Sequence, residues 1–269
     1  MQEPILIGVG STEAQMLAVD VLSYTLRKHT QRELEVVPLY RCGIPIPSPR
    51  DPRNISRTPF SFQRFLLPEL GKFKRRTIYL DSDMIVFKDV GALFDTEMEE
   101  FDILACQATP GRKERIVYSV LLISADCPWK IDDIVRKLDS GEFSYEDLMF
   151  KFKVPGRVDV RLPYHWNSCE HYEPGETALL HYTDMWLQPW LVTKNPLASL
   201  WVSELLGAIQ AGVVTTGAVA DGVKKRWVRP SLLYQVENGI PDPKDIPFWV
   251  RLKDIPFTRY CREKKFRIF

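Results

Sequence analysis

Two apolar runs, residues 77–80 and 84–87, are interrupted by only three residues, Asp81-Ser82-Asp83. Runs this short, packed this closely, read as consecutive buried strands rather than as helix. The acidic triplet is therefore pinned at the carboxyl end of a strand, where open α/β sheets gather ligands. Carboxylates two residues apart repel, and a bound divalent cation is the usual compensation. Hard oxygen ligands suit Mg²⁺ or Mn²⁺, and an added imidazole tilts the choice to Mn²⁺. Position alone leaves a second reading open, an acidic surface turn with no ligand.

The rest of the chain fits an α/β architecture. Residues 4–9 form an apolar run broken by Gly10, and Thr12 with Gln15 resembles a capping box. Met16, Val19, Leu22, Ser23 and Leu26 then share one helical face. Residues 34–40 read as a second strand. Residues 42–59 hold five prolines and three arginines and read as a loop, after which Pro59 starts a predicted helix over 60–67. Residues 103–106 and 117–124 read as further buried strands. Strands alternating with helices predict a mainly parallel twisted sheet flanked by helices. Asn195-Pro196 opens a helix that Gly212 stops, which predicts a domain over 1–194 and a helical, irregular annex over 195–269.

Composition narrows the function. Lys+Arg 36 against Asp+Glu 35 leaves no global field for nucleic acid. The five cysteines contain no C-x-x-C pair, which argues against a disulfide framework or zinc knuckle and for a reducing compartment. No leader and no membrane-spanning run is read, since residues 197–220 include Glu204 and Gln210. A cytoplasmic protein is expected. Seven tryptophans supply surfaces for stacking on sugars.

The stretch Arg76-Thr77-Ile78-Tyr79-Leu80-Asp81-Ser82-Asp83-Met84-Ile85-Val86, followed by Asp89-Val90 and Leu93-Phe94-Asp95, resembles the signature of retaining GT-A glycosyltransferases. It is most similar to the family of glycogenin and the bacterial lipopolysaccharide galactosyl- and glucosyltransferases (family 8). The helix residues 62–70 and the segments His181-Tyr182-Thr183 and Gln188-Pro189-Trp190 resemble further family blocks, in order, across residues 4–190.

The resemblance implies a GT-A fold, a Rossmann-like nucleotide-diphospho-sugar transferase. It implies metal ligation by Asp81, Asp83 and His181, whereas His29, His165 and His171 read as structural or solvated. It places Gly8, Gly10, Ser11, Thr12 and Glu13 at the base and ribose, with Gln15 where the family often stacks a tyrosine. Arg64 and Ser82 fall near the diphosphate, although Arg64 could equally pair with Glu69. Gln188 stands where a family lysine meets the diphosphate, so Arg64 or Lys194 is the substitute cation. Glu146 and Asp147 match residues beneath the transferred sugar and are the candidate catalytic pair; Ser144 before them offers a plain helix cap instead. Trp166 and Asn167 match an acceptor-site pair, against a core role for Trp166. Val117-Tyr118-Ser119 and Asp184 depart from the family's residues.

The reaction so implied is metal-dependent transfer of a hexose, with retention, from a UDP-sugar to a saccharide or glycolipid hydroxyl. The alternatives are a non-catalytic sugar- or nucleotide-sugar-binding relative and a sugar-phosphate nucleotidyltransferase; residues 8–15 contain no Lys or Arg, which disfavours the latter. Residues 251–269 carry seven Lys/Arg against two acids, with Tyr260, Phe266 and Phe269 interleaved. That tail either contacts a membrane peripherally or docks on its own domain.

Overall fold

Six strands form the main sheet: β1 (Ile5–Gly10), β2 (Leu34–Pro38), β3 (Thr77–Asp81), β5 (Ile103–Cys106), β6 (Val120–Ile123) and β7 (Val158–Leu162). Their order is β2-β1-β3-β6-β5-β7. Every neighbour pair is parallel except those made by β6, which is antiparallel to both β3 and β5. A second sheet has the order β4-β9-β8, from β4 (Met84–Val86), β8 (Ser168–Cys169) and β9 (Leu179–His181). The computed structural model describes residues 3–111 and 117–264.

The central strands β1, β3, β5 and β6 are buried along their whole length, as continuous apolar runs require. Helix α1 (Met16–Lys28) is buried on two sides. Val19, Leu22 and Leu26 face the main-sheet core, whereas Ala18 and Val21 join a second core with the C-terminal helices. The sequence reading anticipated only the first of these faces. Residues 60–67 are not the predicted helix. A 3₁₀ turn, Gln63–Leu66, leads into a single α-turn, α2 (Leu67–Leu70), so the helix starts beside Pro68 rather than Pro59.

Four further helices lie before the annex or at its start: α3 (Val90–Phe94), α4 (Ile131–Asp139), α5 (Tyr145–Met149) and α6 (Ala198–Gln210). The remainder is α7 (Thr216–Lys224), α8 (Pro230–Asn238), α9 (Phe248–Arg251) and α10 (Asp254–Glu263). Trp201, Leu205 and Leu232 of the annex share one core with Ile85 of β4, Leu180 of β9, Tyr182 and Trp190. The annex thus packs directly behind the small sheet. No helix is long and apolar enough to cross a membrane among the described residues.

Candidate active site

Asp81 ends β3 and Met84 begins β4, so Ser82 and Asp83 form the link between the two sheets. His181 ends β9 opposite Met84, and the adjacent Tyr182 amide donates to the Asp83 carbonyl at 2.9 Å. Backbone pairing therefore brings His181 to Asp83 across nearly a hundred residues of sequence. One ligand atom from each of Asp81, Asp83 and His181 lies within 4.8 Å of the others, and all three residues are buried.

Each of these side chains is held by a neutral neighbour. Tyr79 donates its hydroxyl to Asp81 Oδ1 at 2.6 Å. Gln188 Nε2 donates to Asp83 Oδ2 at 2.9 Å. His181 Nδ1 and Asn167 Oδ1 lie 2.9 Å apart, while Asn167 Nδ2 donates to the Val117 carbonyl. That second bond fixes the Asn167 amide with its oxygen towards the ring, so Nδ1 carries a proton in either charge state and Nε2 faces Asp83. Nε2 stands 3.0 Å from Asp83 Oδ1, yet that oxygen receives no aligned hydrogen bond. The contact is an ion pair.

Burial alone would lower the His181 pKa, but the Asp83 carboxylate outweighs it and holds the value well above the ordinary imidazole range. Tyr79 is pushed well above its usual range by burial and by Asp81, so it remains a hydroxyl donor. Arg64 lies over the Tyr79 ring and 4.0 Å from Asp81 Oδ1, and donates to the Tyr118 carbonyl at 2.5 Å. It does not pair with Glu69. With His181 protonated, two cations face two carboxylates. A divalent ion that displaces the imidazole proton would leave one surplus positive charge, which suits a diphosphate.

The residues fit such an ion on a further count. Ser82 Oγ on the turn, Arg64 Nε beside Asp81 and Gln188 Oε1 beside Asp83 are buried polar atoms without hydrogen-bond partners. Orphaned groups at this density are costly unless something supplies their partners.

Other expected residues are placed differently. Gly10 pairs with Asp81 in register, beside the acidic turn, whereas Gly8 lies inside β1 against Leu67. Ser11 has both backbone groups taken by the Gln63 side chain, at 2.8 and 2.9 Å. Thr12 donates its amide to Gln15, and Glu13 is exposed beside Lys225. Lys194 lines a cleft with Arg262, which leaves Arg64 as the cation at the acidic turn. Trp166 packs in the main core, and Asn167 is hydrogen-bonded to His181.

Asp147 is committed on both oxygens: Oδ2 to Ser144 as a helix cap, Oδ1 to Lys151 and Lys153. Those partners hold its pKa below the usual carboxylate range. Glu146 is half-exposed and pairs with Arg57. Neither carboxylate contacts the Asp81 group. Three consecutive carbonyls do support that group, which the sequence reading missed. Val117 O accepts from Asn167, Tyr118 O from Arg64, and Ser119 O from the Asp81 amide at 3.2 Å. Backbone acceptors leave no mark on residue identity, so no motif could have signalled them.

This arrangement of a mixed six-stranded sheet and a second three-stranded sheet is a GT-A fold, shared with solved glycosyltransferases. The glycosyltransferase GlyE of Streptococcus pneumoniae TIGR4 superposes with a TM-score of 0.56 at 18% identity, over 86% of this chain and 66% of GlyE. The galactosyltransferase LgtC, solved with donor and acceptor sugar analogues, gives 0.54 at 14% identity, over 78% of this chain and 100% of LgtC. The chain thus spans just under two-thirds of GlyE's length. At the sequence level it resembles glycosyl transferase family 8, whose profile matches residues 24–143. That match includes Asp81 and Asp83 and stops short of His181, whose assignment rests on the geometry above. Protein CDI of Arabidopsis thaliana is 22% identical over 76% of this chain and 87% of its own length.

Proposed function

We propose that the protein is a retaining glycosyltransferase that moves a hexose from a UDP-sugar to a hydroxyl of a saccharide or glycolipid. The observation that carries this reading is the buried Asp81–Asp83–His181 group, ringed by unpartnered polar atoms at the junction of the two sheets. Asp81, Asp83 and His181 would hold Mn²⁺ or Mg²⁺. When bound, the ion supplies Lewis-acid neutralisation of the leaving diphosphate.

The chain's own groups do the rest. Arg64 brings a permanent guanidinium beside Asp81, able to bind a phosphate oxygen through its unpaired Nε–H. Ser82 Oγ offers a second donor from the turn itself. Tyr79, Gln188 and Asn167 keep the three ligand side chains from relaxing. Glu146, held only by a surface pair with Arg57, is free to swing to the sugar and stabilise developing oxocarbenium charge.

The engagement of Asp147 by Ser144 and two lysines favours one second reading, a sugar-nucleotide-binding relative without transfer activity. Calorimetry of UDP and UDP-hexoses with and without Mn²⁺, followed by turnover on the donors that bind, separates the two. The transferase reading requires Mn²⁺-dependent UDP binding that Asp83→Ala abolishes, together with release of UDP when an acceptor is supplied. Equal UDP affinity for wild type and Asp83→Ala in Mn²⁺ would show the site to be misassigned.

A further inference from the structure

Among the described residues, ten large apolar side chains are exposed, and four of them fall within eight consecutive positions. They are Phe248 (65% exposed), Trp249 (69%), Leu252 (44%) and Ile255 (61%). Such clustering is far from the scattered singles that ordinary surfaces show. The backbone keeps right-handed helical dihedrals through Leu252 and Lys253, so α9 and α10 wind on almost as one helix. Along it, Phe248, Leu252 and Ile255 recur at i, i+4 and i+7 and form one stripe. Val250, Phe257 and Cys261, on the opposite face, anchor the helix to the protein.

The exposed stripe is edged with positive charge. Arg251, Lys253, Arg259 and Arg262 are all exposed. The two acids of the segment are already engaged, Asp254 by the Ser231 amide at 2.8 Å and Glu263 by Arg259 at 3.2 Å. Beside the stripe opens a cleft of 470 Å³, lined by Arg251, Arg259 and Arg262 with Thr193, Thr258 and Asp254. It is large enough for a phosphate-bearing headgroup, and three arginines line it.

Aromatic and aliphatic side chains projecting into solvent, with guanidiniums at their flanks, match the two layers of a lipid surface. The apolar groups reach the acyl boundary while the cations meet anionic headgroups. A protein partner would leave the charge around the stripe unexplained; a neutral bilayer would leave the arginine cleft unused. We infer that the exposed face of α9 and α10 docks the protein on anionic membrane, with Phe248, Trp249, Leu252 and Ile255 inserting and Arg251, Arg259 and Arg262 binding lipid phosphate. The face begins before residue 251, where the sequence reading placed a membrane tail. Phe266 and Phe269 of that tail lie outside the described residues.

The experiment is co-sedimentation of the full chain with phosphatidylcholine vesicles, with and without phosphatidylserine. The wild type should bind the anionic vesicles and not the neutral ones. Phe248→Ser/Trp249→Ser should abolish binding, and Arg259→Ser/Arg262→Ser should weaken it about 25-fold, on the basis of roughly fivefold per cation. These positions are exposed, so Tm and Mn²⁺-dependent UDP binding should stay at wild-type values in both variants and exclude misfolding. Failure of the wild type to bind anionic vesicles overturns the inference, as does undiminished binding by Phe248→Ser/Trp249→Ser. If sedimentation velocity instead finds a dimer that the same substitutions dissolve, without vesicle binding, the face belongs to a second copy of the chain.

Discussion

The Tyr79 hydroxyl occupies the space that a side chain on Gly10 would need: a Cβ there would sit 2.2 Å from the oxygen. Gly10 on β1 is the register partner of Asp81 on β3, so its missing side chain is what lets Tyr79 reach Asp81. A glycine at this position therefore serves the carboxylate on the neighbouring strand.

Gly10→Ala should displace Tyr79 and free Asp81 to rotate. Loss of a group that orients a ligand typically costs ~10- to 100-fold in metal affinity. Tyr79→Phe, which removes only the oxygen, should reproduce the loss without the steric clash. Mn²⁺ titration of both variants checks this, and wild-type affinity in Tyr79→Phe would rule the hydroxyl out as a support for the site.

Asn167→Ala should weaken Mn²⁺ binding by a similar ~10- to 100-fold, because Nδ1 of His181 loses the acceptor that sets its tautomer. Saccharide acceptor affinity, measured separately, should change little if Asn167 acts only through His181.

Metal binding should depend on pH with a definite sign. The Asp83 carboxylate raises the His181 pKa, so in the metal-free protein the ring stays protonated through neutral pH. The ion must displace that proton, so Mn²⁺ affinity should rise with pH until the raised value is passed, and fall about tenfold per unit below it. Calorimetry in two buffers of different ionisation enthalpy should count about one proton released. His181→Ala should bind weakly and lose the pH dependence.

Asp147→Asn should act on stability more than on chemistry. The substitution weakens the cap on α5 and two lysine pairs, for a loss of ~1 kcal/mol in unfolding free energy. Turnover on the true donor should remain near wild type. Glu146→Gln should give a mild rate loss or a changed donor preference, with UDP binding intact. A rate collapse of ~10²–10³ in Asp147→Asn would instead return that residue to the chemistry.

Legibility in the sequence followed the range of the interactions involved. Asp81 and Asp83 were readable because strand, turn and strand are contiguous, so the local pattern alone sets their location. His181 was readable only through its place in a series of blocks, since a lone histidine after an apolar run has no ligand signature. Sequence sets Asn167 beside Trp166, and only the fold sets it beside His181, fourteen residues on. Gln188 stands where the family has a lysine, and its neutral amide donates to the Asp83 carboxylate, which a lysine would neutralise. Tyr79 carries no signal of its own, because an apolar strand hides a hydrogen-bonding hydroxyl among packing residues.

Arg229 carries a consequence for how the molecule opens. Fully buried in the annex, it binds the carbonyls of Pro189 and Trp190 through Nε and its own amide, at 2.9 and 2.8 Å. Burial pulls its guanidinium down to about 10 despite Asp254, so it remains charged at neutral pH and cannot be left unpaired without penalty. Gln188 sits one residue before this clamp and reaches Asp83 from it. The small sheet, the Gln188 segment and the C-terminal helices should therefore exchange their amide hydrogens as one unit. Cation binding at Asp83 would then slow exchange in α8 at a distance, and peeling the annex away would release the ion with it.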